Sequence, residues 1–131
     1  MPLTNNDKLE LTKLAQGIRA NSYSPYSGFA VGAALLAESG SVYVGTNCEN
    51  ASYGGTICAE RAALTAAITA GERKFTAIAV AAGAHPVTPC GICRQLLAEF
   101  GDMTVICAAG EGTEYKILSL SALLPDAFTE F

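Results

Sequence analysis

Two short cysteine motifs constrain the fold of this chain more than any other feature of its sequence. The first is Cys58-Ala59-Glu60 and the second is Pro89-Cys90-Gly91-Ile92-Cys93. Each motif stands where a loop or strand pattern gives way to a predicted helix, and a helix N-terminus offers free N–H groups and partial positive charge that favour thiolates. Cys90 and Cys93, three residues apart, share one face of the first turn of their helix. If the two helix N-termini meet in the fold, three thiolates gather at one point.

The order of elements along the chain predicts an α/β fold with a mixed sheet. Strands and helices alternate after residue 56, whereas the first two strands are separated by the turn Glu38-Ser39-Gly40 and form a hairpin. The length of 131 residues fits one domain, residues 1–131, with one core. Helices are predicted at about 7–21, 58–70 and 91–99 with a helical turn at 121–124, and strands at 29–36, 42–45, 75–82, 103–108 and 115–118.

The composition favours a small-molecule partner and self-association. Hydrophobic residues make up 50% of the chain and charged residues only 15%. Burial of surface against copies of the chain would explain this excess, although a generous two-sided core would give the same composition. The formal net charge is −4, and the 8 Lys and Arg residues are scattered. A basic stripe, the usual electrostatic footprint of nucleic-acid binding, is therefore missing from the sequence pattern.

The cellular compartment that the sequence favours limits the roles that the cysteines can have. Residues 1–7 lack the pattern of a signal peptide, and no apolar run approaches the roughly 18–20 residues that a membrane span needs. We therefore expect a cytoplasmic protein without a membrane anchor, in which thiols stay reduced. Its 5 cysteines are then metal ligands, catalytic groups or core residues rather than disulfide partners.

Three converging thiolates predict a catalytic zinc site. Three protein ligands leave the fourth position of tetrahedral zinc open to water, and zinc lowers the pKa of that water to about 7. Glu60 lies two residues after Cys58, close enough to take the water's proton without binding the metal. Three thiolates and one Zn²⁺ carry a net negative charge that opposes Lewis acidity. Arg61 and Arg94 are therefore expected to donate to the sulfurs and to offset that charge.

Two other interpretations of the cysteines remain open at this point. The pair Cys90 and Cys93 also fits a thioredoxin-like redox motif at a helix start, but that interpretation gives Cys58-Ala59-Glu60 no role. A structural zinc site with four cysteines needs Cys48 or Cys107 as its fourth ligand, and neither belongs to a second C-x-x-C. We interpret Cys48 and Cys107 as structural residues.

At these residues the chain resembles a known family. Cys-Ala-Glu followed by Pro-Cys-Gly-x-Cys-Arg-Gln is similar to the motifs of the zinc nucleoside deaminases. The segments 24–34, 45–54 and 124–128 extend the similarity over essentially the whole chain, to the short, homotetrameric cytidine deaminases. The resemblance implies a three-layer α/β/α sandwich with a mixed five-stranded sheet.

The same resemblance implies the reaction. Cys58, Cys90 and Cys93 would bind one Zn²⁺ per subunit, and Glu60 would shuttle protons. Zinc-activated hydroxide would attack C4 of cytidine or 2′-deoxycytidine, and ammonia would leave. The products, uridine and 2′-deoxyuridine, belong to pyrimidine salvage.

The substrate contacts are likewise implied by the resemblance. Asn47 and Glu49 match the pair that hydrogen-bonds the ribose 3′-hydroxyl, and Phe29 matches the aromatic residue that packs beside the nucleoside. Tyr53 and the backbone N–H of Ala59 match further contacts. Phe128 matches a C-terminal aromatic residue that reaches into a neighbouring subunit's site, so the active sites of the homotetramer would be shared.

Two rival substrates follow from the same zinc motifs. Deamination of the cytosine-bearing antibiotic blasticidin S uses them as well, but the Asn47-x-Glu49 pair and the stretch 29–32 favour an ordinary nucleoside. Editing of polynucleotides is disfavoured by the sequence pI of about 4.8. His85 is not placed as a ligand in this pattern and is interpreted as a polar loop residue.

Overall fold

The structure, a computed structural model, describes residues 3–130 and confirms the α/β prediction. Within these residues no helix has both the length and the apolar character that crossing a membrane requires. The elements follow one another as α1 (Asn5–Ile18), β1 (Gly32–Ala37), β2 (Val42–Thr46), α2 (Ala59–Thr69), β3 (Phe75–Ala81), α3 (Gly91–Ala98), β4 (Thr104–Ala108), β5 (Tyr115–Ser119) and α4 (Leu120–Leu123), with single 3₁₀ turns at Arg19–Asn21 and Tyr53–Gly55.

The sheet is mixed, as predicted. Its five strands lie in the order β2-β1-β3-β4-β5. β1 and β2 form the expected antiparallel hairpin, and β1 pairs antiparallel with β3 on its other side. β3 pairs parallel with β4 through a connection that contains α3, and β5 returns antiparallel to β4. This crossover carries the chain from the carboxyl end of β3 directly into the second cysteine motif.

Helices cover both faces of the sheet, which confirms the three-layer arrangement. α1 packs on one face through Leu11 and Ala15, against small residues of the central strands such as Ala34 and Ala79. The other face packs against α2 and α3, with Leu64 and Leu97 among its fully buried side chains. Because both faces of the sheet are covered, the sequences of the central strands are continuous apolar runs and do not alternate between apolar and polar residues.

The first strand begins later than the sequence pattern predicts. Residues 29–31 were expected in the strand, but β1 starts at Gly32. The Nδ2 of Asn47 donates to the Phe29 carbonyl oxygen at 2.9 Å, and its Oδ1 accepts from the Val31 N–H at 3.0 Å. A side-chain amide therefore takes the place of a partner strand here, and residues 29–31 are free to form a wall of the candidate site.

The start of α1 is set by a reciprocal cap. The N–H of Asp7 donates to Thr4 Oγ1 at 3.0 Å, and the Thr4 N–H donates back to Asp7 Oδ2 at 2.9 Å. The helix therefore begins slightly before the predicted 7–21 stretch, and a 3₁₀ turn occupies the last residues of that stretch. The other predicted helices and strands are confirmed to within one or two residues at each end.

Gly45 allows α2 to lie directly against β2. A Cβ added at this position would stand 2.4 Å from the Ala63 nitrogen and 2.6 Å from the Ala59 oxygen. Both neighbours are backbone atoms of α2, so they cannot move without shifting the helix. Gly45 therefore sets the position of the helix that carries the first cysteine motif.

The substitution Gly45→Ala is expected to lower the free energy of unfolding by about 1–3 kcal/mol, because the added methyl group overpacks this contact. Gly17→Ala is the matched control: Gly17 lies in α1 with nothing within 4 Å of its added Cβ. That change should raise stability by about 0.5–1 kcal/mol, since alanine loses less backbone entropy in a helix. Urea unfolding at one fixed protein concentration measures both. Equal midpoints for Gly45→Ala and the wild type would contradict the close contact.

Candidate active site

The two cysteine motifs meet at the N-termini of α2 and α3, as the sequence predicts. Cys58 is the N-cap residue of α2 and Cys90 that of α3. The Sγ atoms of Cys58 and Cys90 are 3.9 Å apart, and those of Cys90 and Cys93 are 3.6 Å apart. All three Sγ atoms lie within 4.8 Å of one another. The elements thus deliver three sulfurs to one point from two separate stretches of chain.

This sulfur cluster fits tetrahedral zinc. Zn–S bonds of about 2.3 Å at tetrahedral angles separate neighbouring sulfurs by about 3.8 Å, close to the two distances observed. Cys48 and Cys107 do not join the cluster in the part of the chain that is described, which removes the four-cysteine structural site. The approach of Cys58 also counts against a two-cysteine redox pair, because that interpretation gives Cys58 no role.

Arg61 supplies positive charge beside the sulfurs. Its Nη2 donates to the Thr56 carbonyl oxygen at 2.7 Å and to Cys58 Sγ at 3.7 Å. Its buried Nε finds no hydrogen-bond partner among residues 3–130. A half-buried cation beside the thiols favours their ionised form, so the donor set suits a divalent metal held by thiolates.

The three thiols differ in how readily they ionise. Burial raises the pKa of Cys58, and burial together with the nearby Glu60 charge raises the pKa of Cys93. For Cys90, burial acts in the same direction, but N–H groups at the start of α3 and the neighbouring thiols outweigh it, and the pKa of Cys90 is lowered. A metal ion must therefore displace protons from at least two of the thiols, so binding strengthens as the pH rises.

Glu60 lies in the first turn of α2 and is only 5% exposed. Burial raises the pKa of its carboxyl group, which hydrogen bonding and the Arg61 charge only partly oppose. A carboxyl group with a raised pKa holds a proton more readily than a free carboxyl group, which suits a group that accepts and later releases a proton. Its position beside the sulfur cluster gives the site a group for proton transfer.

A pocket of about 200 Å³ opens above Glu60 and the sulfurs. The N–H of Ala59, the first residue of α2, has no acceptor within the helix, and Ala59 lines this pocket. The pocket is otherwise largely apolar, as small-molecule sites are. Its lining consists of Phe29, Val31, Asn47, Thr56, Cys58, Ala59, Glu60, Val80, Val87, Thr88 and Cys90.

Asn47 and Glu49 are buried and hold the loop that forms one wall of this pocket. Beyond its two bonds to residues 29 and 31, Asn47 accepts at Oδ1 from Ser22 Oγ at 2.5 Å. Glu49 Oε1 accepts from the N–H groups of Tyr26 and Ser27 at 3.0 and 3.1 Å, and its Oε2 accepts from Ser27 Oγ. Asn47 lines the pocket above Glu60, whereas Glu49 lines an adjoining cavity of about 260 Å³ that shares Thr56 with it.

The hydrogen bonds to Glu49 make its contribution to stability depend on pH. Those from Ser27 hold the pKa of Glu49 below its usual value of 4.5. A carboxyl group with a lowered folded-state pKa stabilises the fold above its unfolded pKa, and this contribution is lost as the pH falls through the folded value.

The destabilisation caused by Glu49→Gln is therefore expected to be largest at neutral pH and to shrink once the pH falls below the usual value of 4.5. Thermal unfolding of the variant and the wild type between neutral pH and the acid limit measures the difference. Glu111→Gln, at an exposed loop position, is the control and should change stability little. A destabilisation by Glu49→Gln that stays constant across this range would contradict the assignment.

The three aromatic residues singled out in the sequence do not share one pocket within the chain. Phe29 lines the pocket above Glu60, and its ring lies beside Gly83, whose added Cβ would meet Cε1 at 3.3 Å. Tyr53 lines the adjoining cavity and packs edge-on against Tyr26, with ring centroids 5.4 Å apart. Phe128 lines neither of these two spaces and is 66% exposed.

The prediction that Arg94 donates to a sulfur is wrong. Within residues 3–130 its Nε donates to the Pro89 carbonyl oxygen at 2.7 Å, its Nη1 to the Leu123 carbonyl oxygen at 2.7 Å, and its Nη2 to Thr88 Oγ1 at 3.0 Å. Each nitrogen of the guanidinium group therefore has one oxygen acceptor. Arg94 thus braces the loop before Cys90 and the end of α4, while Arg61 alone of the two donates to a cysteine.

Comparison with known proteins agrees with this geometry. A model of the cytidine and deoxycytidylate deaminase zinc-binding region matches residues 5–109. The chain belongs to this family. The cytidine deaminase of Halalkalibacterium halodurans is 49% identical over 126 residues, covering 94% of this chain and 95% of that protein. A probable cytidine deaminase of Dictyostelium discoideum is 43% identical over 129 residues, covering 96% and 87%.

Solved structures of the family share the fold. The crystal structure of cytidine deaminase from Burkholderia pseudomallei superposes with a TM-score of 0.87 at 44% identity, covering 95% of this chain and 99% of that one. Cytidine deaminase from Mycobacterium tuberculosis gives a TM-score of 0.78 at 40% identity, covering 93% and 97%.

Sequence reasoning missed several residues that line the deaminase pocket. Thr56 and Thr88 stand two residues before Cys58 and Cys90, respectively, so proximity to the motifs was the available signal. Val80 lies in β3 and Val87 in the loop that follows it, and no motif marked either as a site residue. His85, interpreted as a loop residue, is exposed and faces Glu114 at 3.3 Å, away from the sulfur cluster.

Proposed function

We propose that this protein hydrolyses cytidine and 2′-deoxycytidine to uridine and 2′-deoxyuridine with release of ammonia, a reaction of pyrimidine salvage. One observation carries the proposal: three cysteine sulfurs lie together beside a buried glutamate, and that glutamate lines one pocket together with Cys58 and Cys90. Membership of the deaminase family agrees with it. Residues 1–131 would form a single catalytic domain.

In this proposal Cys58, Cys90 and Cys93 hold one Zn²⁺ per subunit. The metal, when bound, supplies Lewis acidity that lowers the pKa of a water molecule to about 7. Glu60 would take one proton from that water and pass it to N3 as the water oxygen bonds to C4. It would then take the second proton, from the hydroxyl group so formed on C4, and pass it to the amino nitrogen. The C–N bond to that nitrogen breaks as the carbonyl group of uridine forms, and ammonia leaves.

Neighbouring residues orient the nucleoside and balance the charge. The Ala59 N–H is placed to donate to the pyrimidine carbonyl oxygen, and Phe29 offers a flat face beside the base. Asn47 and Glu49 would bind the ribose 3′-hydroxyl, with the carboxylate accepting and the amide donating. Arg61 offsets the negative charge of the thiolates. Arg94 acts further out, by bracing the loop before α3 and the end of α4.

A homotetramer with shared active sites is part of the proposal. Tyr53 is 72% exposed and Phe128 is 66% exposed, unusually so for large aromatic side chains. The pocket above Glu60, about 200 Å³ within one chain, is also smaller than the roughly 300–1,000 Å³ typical of ligand sites. Both features are explained if neighbouring subunits complete the site. The five free cysteines suit a cytoplasmic location, where thiols stay reduced.

Conversion of cytidine to uridine by the zinc-loaded protein, followed by ultraviolet absorbance, tests the proposed reaction. Turnover is expected, and it should disappear in a sample stripped by a chelator and return when zinc is added. A protein that holds zinc but leaves both cytidine and deoxycytidine unchanged would overturn the proposed substrate, and blasticidin S would then be tried. Sedimentation at micromolar concentration tests the assembly, and a monomer there would overturn the shared site.

A further inference from the structure

The C-terminal tail, residues 124–130, is tied to the helix that carries two of the cluster's cysteines. The side-chain Nε2 of Gln95, in α3, donates to the Phe128 carbonyl oxygen at 2.7 Å. The preceding residue, Arg94, donates to the Leu123 carbonyl oxygen at 2.7 Å, just before the tail begins. The two residues that follow Cys93 therefore hold the residue just before the tail and Phe128 within it.

Packing alone does little to fix the path of this tail. All of its residues except Leu124 and Ala127 are exposed. A cavity of about 290 Å³ lies beside the tail and is lined in part by Leu120, Leu124 and Ala127. Asp126 adopts a φ of 56°, in the left-handed region that non-glycine residues seldom occupy. The hydrogen bond from Gln95 is therefore a directed contact that ties Phe128 in this tail to α3.

We propose that Gln95 is a positioning residue for nucleoside binding in a neighbouring subunit. By holding the Phe128 backbone on α3, it sets where the exposed Phe128 ring stands. This inference deepens the proposed function, on which it depends for the entry of Phe128 into a partner's site. It links the helix that carries Cys90 and Cys93 in one subunit to substrate binding in the next.

The chemistry of the contact selects an informative substitution. A glutamine amide donates to a carbonyl oxygen without adding charge, whereas a glutamate of the same size cannot donate and repels that oxygen. Gln95 is exposed, so Gln95→Glu should leave the core of α3 intact. Gln95→Ala removes the contact without adding a charge and serves as the second variant.

Steady-state kinetics with cytidine separate positioning from a general structural effect. Loss of one hydrogen bond is expected to raise KM by about two- to tenfold for either variant, while kcat changes less than about twofold because no group at the reacting atoms is altered. Zinc content should stay at the wild-type value. Hydrogen–deuterium exchange should accelerate in residues 124–130 and remain unchanged in the first turns of α2 and α3.

A double-mutant cycle with Phe128→Ala supplies the decisive outcome. If Gln95 acts through the ring, Gln95→Ala adds nothing to the KM already raised by Phe128→Ala. Gln16→Ala is the matched control, because Gln16 also donates its amide to two carbonyl oxygens, at 3.0 and 2.9 Å, but far from α3; it should leave both KM and tail exchange unchanged.

Three results would overturn the proposal in distinguishable ways. A raised KM for Phe128→Ala with wild-type KM for both Gln95 variants would remove the role of Gln95 and leave the shared site standing. A wild-type KM for Phe128→Ala would remove the role of Phe128 together with that of Gln95, although deamination itself would stand. Additive effects of Gln95→Ala and Phe128→Ala would also count against a positioning role.

Discussion

Glu60→Gln is expected to lose nearly all turnover of cytidine while keeping zinc and the fold. Glutamine has the same size as glutamate but cannot take up and release a proton. Positioned proton transfer contributes about 10²–10⁴-fold to a rate, and Glu60 is proposed to serve more than one transfer, so a loss at the upper end of this range is expected. Measured kcat, zinc content and the thermal midpoint of unfolding together check the prediction.

Glu72→Gln is a useful control for this result. Glu72 accepts from Ser39 Oγ at 2.7 Å and from the Tyr43 hydroxyl at 2.9 Å, so its carboxyl group is also hydrogen-bonded, but away from the pocket. Its replacement should leave kcat close to that of the wild type. Normal turnover by Glu60→Gln with zinc in place would contradict the assignment of Glu60 as the proton carrier.

Cys93→Ser is expected to lose both zinc and activity. Cys93 is fully buried between the other sulfurs and Glu60. A serine hydroxyl group stays protonated and is a poor zinc ligand. Because the loss of a group outside the ligand set already costs about 10–100-fold in metal affinity or activity, the loss of a ligand should exceed this range. Metal analysis after gel filtration, alongside the cytidine assay, measures both effects.

Cys48→Ser and Cys107→Ala complete this experiment. Cys48 is exposed and Cys107 is buried in β4, and neither belongs to the sulfur cluster. Both variants should keep about one zinc per chain. Retention of zinc should also weaken on acidification, because burial raises the pKa of Cys58 and Cys93 and protons then compete with the metal. Full zinc content and activity in Cys93→Ser would contradict the three-cysteine site.

Much of the fold could be predicted because the local spacing of apolar residues indicates which side of each helix or strand is buried. The apolar runs of the central strands and the helical spacing of α1 and α3 place most elements to within a few residues. Pairing could be predicted only where a short turn forces it, as in the hairpin of β1 and β2. The strand order, in which β1 lies between β2 and β3, depends on contacts between distant segments that no local pattern records.

The candidate site was likewise predictable in part from the sequence. The sequence by itself determined the donor set, since Cys58, Cys90 and Cys93 each stand at a recognisable helix start and Glu60 follows within the same turn. Helix starts are local signals, formed by neighbouring residues and by the backbone's need for capping. The chemistry of the site could therefore be predicted before its shape.

Only the tertiary structure decided what surrounds those groups. The burial that raises the pKa of Glu60 comes from packing α2 against the sheet. Asn47 proved to bind the backbone of residues 29–31, and Arg94 to bind carbonyl oxygens instead of sulfur. A long polar side chain has many acceptors within reach, and which of them it meets depends on where the folded chain brings them. Residue type limits the chemistry, and three-dimensional packing selects the partner.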